Sequence, residues 1–145
     1  MTTTEVATNK AALRRFHDAV STGDADVISR TIDEIIHPDV LIHTPLPLAT
    51  TGRQSMKEVL AALDRAFPDL DVHIEDVIAE GDKVVTRNTV TGTQQGEYMG
   101  IAPTGKTVTY QETLIVRFAD GQVAETWAVV DVLSVLRQLG AFPAP

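Results

Sequence analysis

The chain has 145 residues, of which 43% are hydrophobic and 22% charged, a composition that supports a folded core and argues against disorder. Twelve Lys and Arg stand against twenty Asp and Glu, and the net charge of −8 repels phosphate backbones and anionic lipids, so neither nucleic acid nor a membrane surface is an expected partner. Cysteine is absent, which removes disulfides, thiolate chemistry and every Cys-based metal site.

One domain over residues 1–145 is expected from this length. A first helix is predicted from about Thr3 to Thr22, with Thr2 and Glu5 at capping-box spacing and Leu13, Phe16 and Val20 at helical period. Gly23 ends it, and Asp24 caps a second helix carrying Val27, Ile28, Ile32, Ile35 and Ile36, which His37-Pro38 stops. Val40 to Thr44 reads as a short strand before Pro45 and Pro47. Met56, Val59, Leu60, Leu63 and Phe67 define a third helix, closed by Pro68.

From here the period changes from helical to alternating. Leu70, Val72 and Ile74 alternate with polar residues, Glu80-Gly81-Asp82 is a turn, and Lys83 to Thr91 is the next strand. Residues 92–106 form a connection long enough for a functional loop. Thr107 to Phe118 and Gln122 to Val130 are strands joined by an Asp120-Gly121 hairpin. A short helix with Val132, Leu133, Val135, Leu136 and Leu139 ends at Gly140, and Ala141 to Pro145 reads as a loose end. Helices followed by antiparallel strands predict an α+β domain with helices packed on one face of a curved sheet.

Two features weigh against the obvious motif readings. His17, His37, His43 and His73 show neither H-x-H nor H-E-x-x-H spacing, so no metal is expected. Residues 100–107, Gly-Ile-Ala-Pro-Thr-Gly-Lys-Thr, match the Walker A pattern, but Val108-Thr109-Tyr110-Gln111-Glu112-Thr113 follows as a strand where a phosphate loop requires a helix. A turn feeding a strand is the better reading. No apolar stretch reaches the roughly 18–20 residues of a membrane helix, the N-terminus lacks signal-peptide regions, and a cytoplasmic location is expected.

The informative residue is a carboxylate on the core face. Along the strand from Thr107, the even row runs Val108, Tyr110, Glu112, Leu114, Val116, Phe118, with Glu112 at the centre of an apolar face. A carboxyl there is paired, protonated or facing a cavity, because an unpaired buried charge is expensive. Two readings stay open and are compatible: an acid–base group in a pocket, or an ion pair with Arg87 from the neighbouring strand. Asp131 is explained by helix capping and His43 by a hydrogen bond in the core or at its rim, yet both are further acid–base candidates. Gln94 on the long loop, with Arg87, Tyr110 and Trp127, completes the candidate substrate contacts, although core packing also accounts for Trp127.

Several segments, in order across nearly the whole chain, resemble the SnoaL-like polyketide cyclases. They are His37-Pro38-Asp39, the run from Glu80 to Arg87, Gly92-Thr93, the run from Gly100 to Gly105, Arg117 to Gly121, Glu125-x-Trp127-x-x-x-Asp131, and Leu136 to Gly140. The resemblance implies the cone-shaped fold of the nuclear transport factor 2-like superfamily, with a deep pocket between sheet and helices. It also implies no cofactor, a small hydrophobic ligand or substrate, and a homodimer or higher homo-oligomer built through the sheet. Well-known members close a ring of an aromatic polyketide ester by intramolecular aldol condensation, using an aspartate base and a histidine that holds developing oxyanions. In this chain the aspartate position falls on Ala128, the histidine position on Leu114 and a pocket glutamine on Glu112. Any acid–base work therefore falls to Glu112, with His43 or Asp131; the alternative is a ligand-binding or dimerisation module without catalysis. The ketosteroid isomerase branch fares worse, since its base and tyrosine positions fall on Thr44 and Phe16.

Overall fold

The computed structural model describes residues 2–143. Its elements follow the predicted order: α1 (Thr3–Ser21), α2 (Ala25–Ile35), β1 (Ile36–His43), α3 (Arg53–Ala66), β2 (Asp71–Glu80), β3 (Lys83–Thr93), β4 (Thr107–Ala119), β5 (Gln122–Val130) and α4 (Val132–Gln138). The reciprocal Thr2–Glu5 capping box starts α1, and the Asp24 carboxylate accepts from the Asp26 and Val27 amides at the start of α2. The expected loose end lies partly outside the described residues; within them, the Ala141 amide donates to Leu136 O at 2.8 Å.

The strands form one sheet in the order β1-β5-β4-β3-β2, antiparallel except for the parallel β1–β5 pair. Most boundaries shift by one or two residues, and two starts have a specific cause. The strand expected from Val40 begins at Ile36 and takes in Pro38, which is tolerable because β1 is an edge strand and its register shifts between Ile36 and Leu41. The third helix begins at Arg53, where Gly52, at φ 64°, makes the turn; a Cβ on Gly52 would lie 2.5 Å from Pro38 O.

Inward rows of the sheet meet the helices. Val84 and Val90 of β3, Val108, Tyr110, Val116 and Phe118 of β4, and Val123 of β5 form one buried cluster with Leu13, Phe16 and Val20 of α1, Ile32 of α2 and Met56 of α3. Helix α4 packs on β4, and beyond the stretch that β5 pairs, Gln138 bonds the Thr109 amide and carbonyl at 2.9 and 2.8 Å. Among the described residues no helix is long and apolar enough to cross a membrane.

Candidate active site

Between the inward face of the sheet and helices α1 and α3 lies a cavity of about 100 Å³. Leu60, Leu63, Val72 and Val90 are typical of its walls, and polar groups are few. Leu114 and Ala128, opposite one another across β4 and β5, both line it.

Glu112 enters this cavity from β4, as alternation predicts. Its partner is not Arg87 but Asn88, directly opposite on β3, whose Nδ2 donates to Glu112 Oε1 at 3.0 Å. Asn88 is fully buried, and its Nδ2 also reaches Thr86 Oγ1 at 3.3 Å, while its Oδ1 has no hydrogen-bond partner. Burial pushes the Glu112 carboxyl above its ordinary value of 4.5, and the Asn88 bond opposes that shift in part. Tyr98 and Tyr110 line the same cavity; burial, and then the proximity of Glu112, raise both phenols and keep them protonated.

His17 of α1 lines the cavity from the helix side. It is 3% exposed, its Nδ1 is buried without a hydrogen-bond partner, and burial lowers its pKa to about 4. At neutral pH the ring is therefore uncharged.

The remaining predicted residues separate. Arg87 is on the outer face of β3, in an exposed ion pair with Asp76 at 2.7 Å, so it neither neutralises Glu112 nor reaches the cavity. Odd positions of β3 point outward, while Thr86, Asn88 and Val90 point in. Gln94 is fully buried as a loop clamp: its Nε2 donates to Ile101 O at 3.0 Å, and its Oε1 accepts from the Thr104 amide at 3.1 Å and hydroxyl at 2.7 Å. The Gly105 amide donates to Gln94 O, so these amides of the Walker-like segment are engaged within the loop. Thr107 then opens a strand, as expected.

Trp127 is neither core nor a wall of this cavity, but it lines an open pocket that shares His43, Thr44, Pro45, Ala128 and Val130 with it. It lies on the outward row of β5, stacked on His43 with ring centroids 5.4 Å apart. His43 Nε2 meets Glu125 Oε2 at 2.8 Å. That bond, and then Arg117, hold the Glu125 carboxyl below its usual range. His43 also lines the cavity with its side chain 52% exposed, which marks where the cavity reaches the surface. Asp131 caps α4, accepting from the Ser134 amide at 3.1 Å, and is not on the cavity wall. Glu112 and Tyr110 are thus brought together, with His43 at the rim and Trp127 stacked on it outside the cavity, while Arg87, Gln94 and Asp131 fall elsewhere.

Two polar groups of the site were not singled out from the sequence: His17 on the cavity wall and Asn88, the partner of Glu112. His17 falls on the Leu13-Phe16-Val20 stripe of α1, and Asn88 on the inward row of β3, so helical and strand periods mark both as buried polar groups. Tyr98 is marked only by its place on the long loop, where binding residues concentrate, and the loop path delivers it to the cavity, edge-on to Phe67 at 5.3 Å. Among the described residues no group of three or more His, Asp or Glu is arranged to hold a metal ion.

Comparison with known proteins places this geometry in context. The family model described as SnoaL-like polyketide cyclase matches residues 10–139. The aklanonic acid methyl ester cyclase DnrD of Streptomyces peucetius is 27% identical over 137 residues, 92% of each chain. A SnoaL-like protein from Jannaschia sp. CCS1 superposes with a TM-score of 0.86, at 28% identity and 99% coverage of each chain. AclR of Streptomyces galilaeus, a candidate hydroxylase, gives a TM-score of 0.81 at 31% identity, covering 97% of this chain and 85% of its own.

Proposed function

Because the chain belongs to the SnoaL-like polyketide cyclase family, we propose that it is an enzyme that works by acid–base chemistry, without a cofactor, on a hydrophobic, oxygenated, polyketide-like substrate. The observation that carries this reading is the Glu112 carboxyl, held by Asn88 on the wall of a largely apolar cavity with its proton affinity raised. A carboxyl tuned upward works nearer neutral pH than a solvated one.

Ionised Glu112 takes a proton from a carbon next to a substrate carbonyl, and the C–H electron pair moves onto that carbonyl oxygen as an enolate. The enolate carbon attacks a second carbonyl of the same molecule, forming a C–C bond as the C=O π pair moves to oxygen. Glu112 returns its proton to the resulting alkoxide, so charge and atoms balance. Tyr98 and Tyr110, protonated and on the same cavity wall, are the donors available to the developing oxyanions.

The test uses aklanonic acid methyl ester, the compound for which the Streptomyces peucetius relative is named. Wild type is expected to close the ring, and Glu112→Gln to keep its circular dichroism while losing about 10²-fold or more of kcat/KM. A Glu112→Gln protein as active as wild type overturns the assignment.

A second reading is favoured by Leu114 and Ala128, the facing cavity residues where the family resemblance puts its histidine and aspartate. In it the chain binds such a ligand without converting it. Ligand-dependent stabilisation with no turnover and no pH-dependent rate is its expected signature. The reading also includes a homo-oligomer formed through the outward face of the sheet.

A further inference from the structure

His17 is the buried titratable group of the cavity that the chemistry above leaves unused. It comes from the helix wall, whereas Glu112 comes from the sheet wall. Leu13 and Val20, its neighbours on the same buried stripe of α1, are apolar. An apolar ring of similar shape would fill this position without leaving a polar atom unmet, and exchanging an unsatisfied buried polar group for one is neutral or stabilising. The imidazole therefore costs stability in the free protein.

The ring also has a direction. A neutral imidazole carries one N–H and one bare nitrogen, and orphaned buried N–H donors are the rarer arrangement. On that ground the bare nitrogen is assigned to Nδ1, which is buried without a partner, and the proton to Nε2. An uncharged N–H donor in a cavity that Val20, Leu60 and Val72 also line has nothing to select an anion, but it does select an oxygen acceptor on an apolar molecule. From this placement we propose that His17 is a ligand-binding residue: its Nε2–H donates to a carbonyl or hydroxyl oxygen of an uncharged, hydrophobic ligand that lies between α1 and the Glu112 side of the sheet. The inference rests on the cavity reading above and names the group that recognises the ligand's oxygen.

The experiment compares two probes of nearly the same shape, 1-tetralone and tetralin, which differ by one carbonyl oxygen. Wild type is expected to bind the ketone about 3- to 10-fold more tightly than the hydrocarbon, the worth of one net hydrogen bond, and His17→Phe to abolish that preference while still binding both. ¹⁵N spectra of the wild-type imidazole provide a readout independent of any variant's folding: the Nε2–H tautomer is expected, with its signal moved by 1-tetralone. Equal affinity of wild type for the two probes, an Nδ1–H tautomer, or a ketone preference retained in His17→Phe overturns the proposal. Glu112→Gln separates this inference from the catalytic reading. A preference lost in Glu112→Gln and kept in His17→Phe overturns the role of His17 alone; full turnover by Glu112→Gln with the preference lost in His17→Phe overturns the catalytic reading alone.

Discussion

His17 and Glu112 sit in one cavity and respond to burial in opposite directions, because burial disfavours whichever form is charged. The unfolded chain takes up a proton at His17 near pH 6.5, while the folded chain resists until about pH 4. Stability linked to keeping this ring uncharged is present in full above pH 6.5 and is lost as pH falls through that window, on the order of 3 kcal/mol. Glu112 acts the other way: its raised value contributes stability below its ordinary 4.5, and that is lost as pH rises through the folded value. Comparing wild type with His17→Phe cancels the Glu112 part, since both proteins carry it. Urea unfolding at pH 7.5 and pH 4.5 should show wild type losing on the order of 2 kcal/mol more than His17→Phe between the two conditions. Parallel losses would mean that the folded imidazole charges as easily as the unfolded one.

At the scale of elements, the segment from Gln94 to Lys106 decides what the cavity contains. Gln94 ties its two arms together, and the Tyr98–Ile101 bridge turns through Met99 and Gly100, at φ 47° and 83°. The loop rests on the end of α3 through the Gln95 and Gly96 amides, which both donate to Ala66 O. A Cβ on Gly96 would lie 2.2 Å from Arg65 O, a backbone atom that cannot turn aside as a side chain does. Gly96→Ala must therefore lift the loop off α3, loosening the Tyr98–Phe67 contact, at a cost of about 1–3 kcal/mol. Thermal unfolding and the near-ultraviolet aromatic signal should both change; an unaltered melting curve would mean that the loop is free to move.

At the scale of the molecule, the sheet has two dissimilar faces. Its inward face builds the core and the cavity, while outward Leu41, Ile78 and Val129 are 55%, 65% and 66% exposed. Val129 shares its face of β5 with Trp127, across from Thr113 and Ile115 of β4, so apolar side chains continue over two strands. Apolar surface of this kind is the usual substrate of self-association. Under the proposed homo-oligomer, sedimentation should give a multiple of 15.7 kDa, and Val129→Lys should shift it toward one chain. A wild-type protein that sediments as one chain at high concentration removes that part of the reading.

Local chemistry in the sequence was enough for the Thr2–Glu5 box, the Asp24 and Asp131 caps, the hairpin turns and the inward row of β4 that puts Glu112 among apolar residues. Each depends on neighbours a few positions apart, and period and capping are short-range properties. Register and layer order are not. Only the pairing of β3 with β4 set Asn88 rather than Arg87 opposite Glu112, and only the edge position of β1 let Pro38 join a strand. Folding of the long loop turned Gln94 into a clamp and brought Tyr98 to the cavity. The packing of α1 over the sheet made His17 a wall of the site, and the outward row of β5 put Trp127 outside it, beside His43 at the rim. These outcomes rest on contacts between residues far apart in the chain, and no local pattern encodes which distant surface will cover a given face.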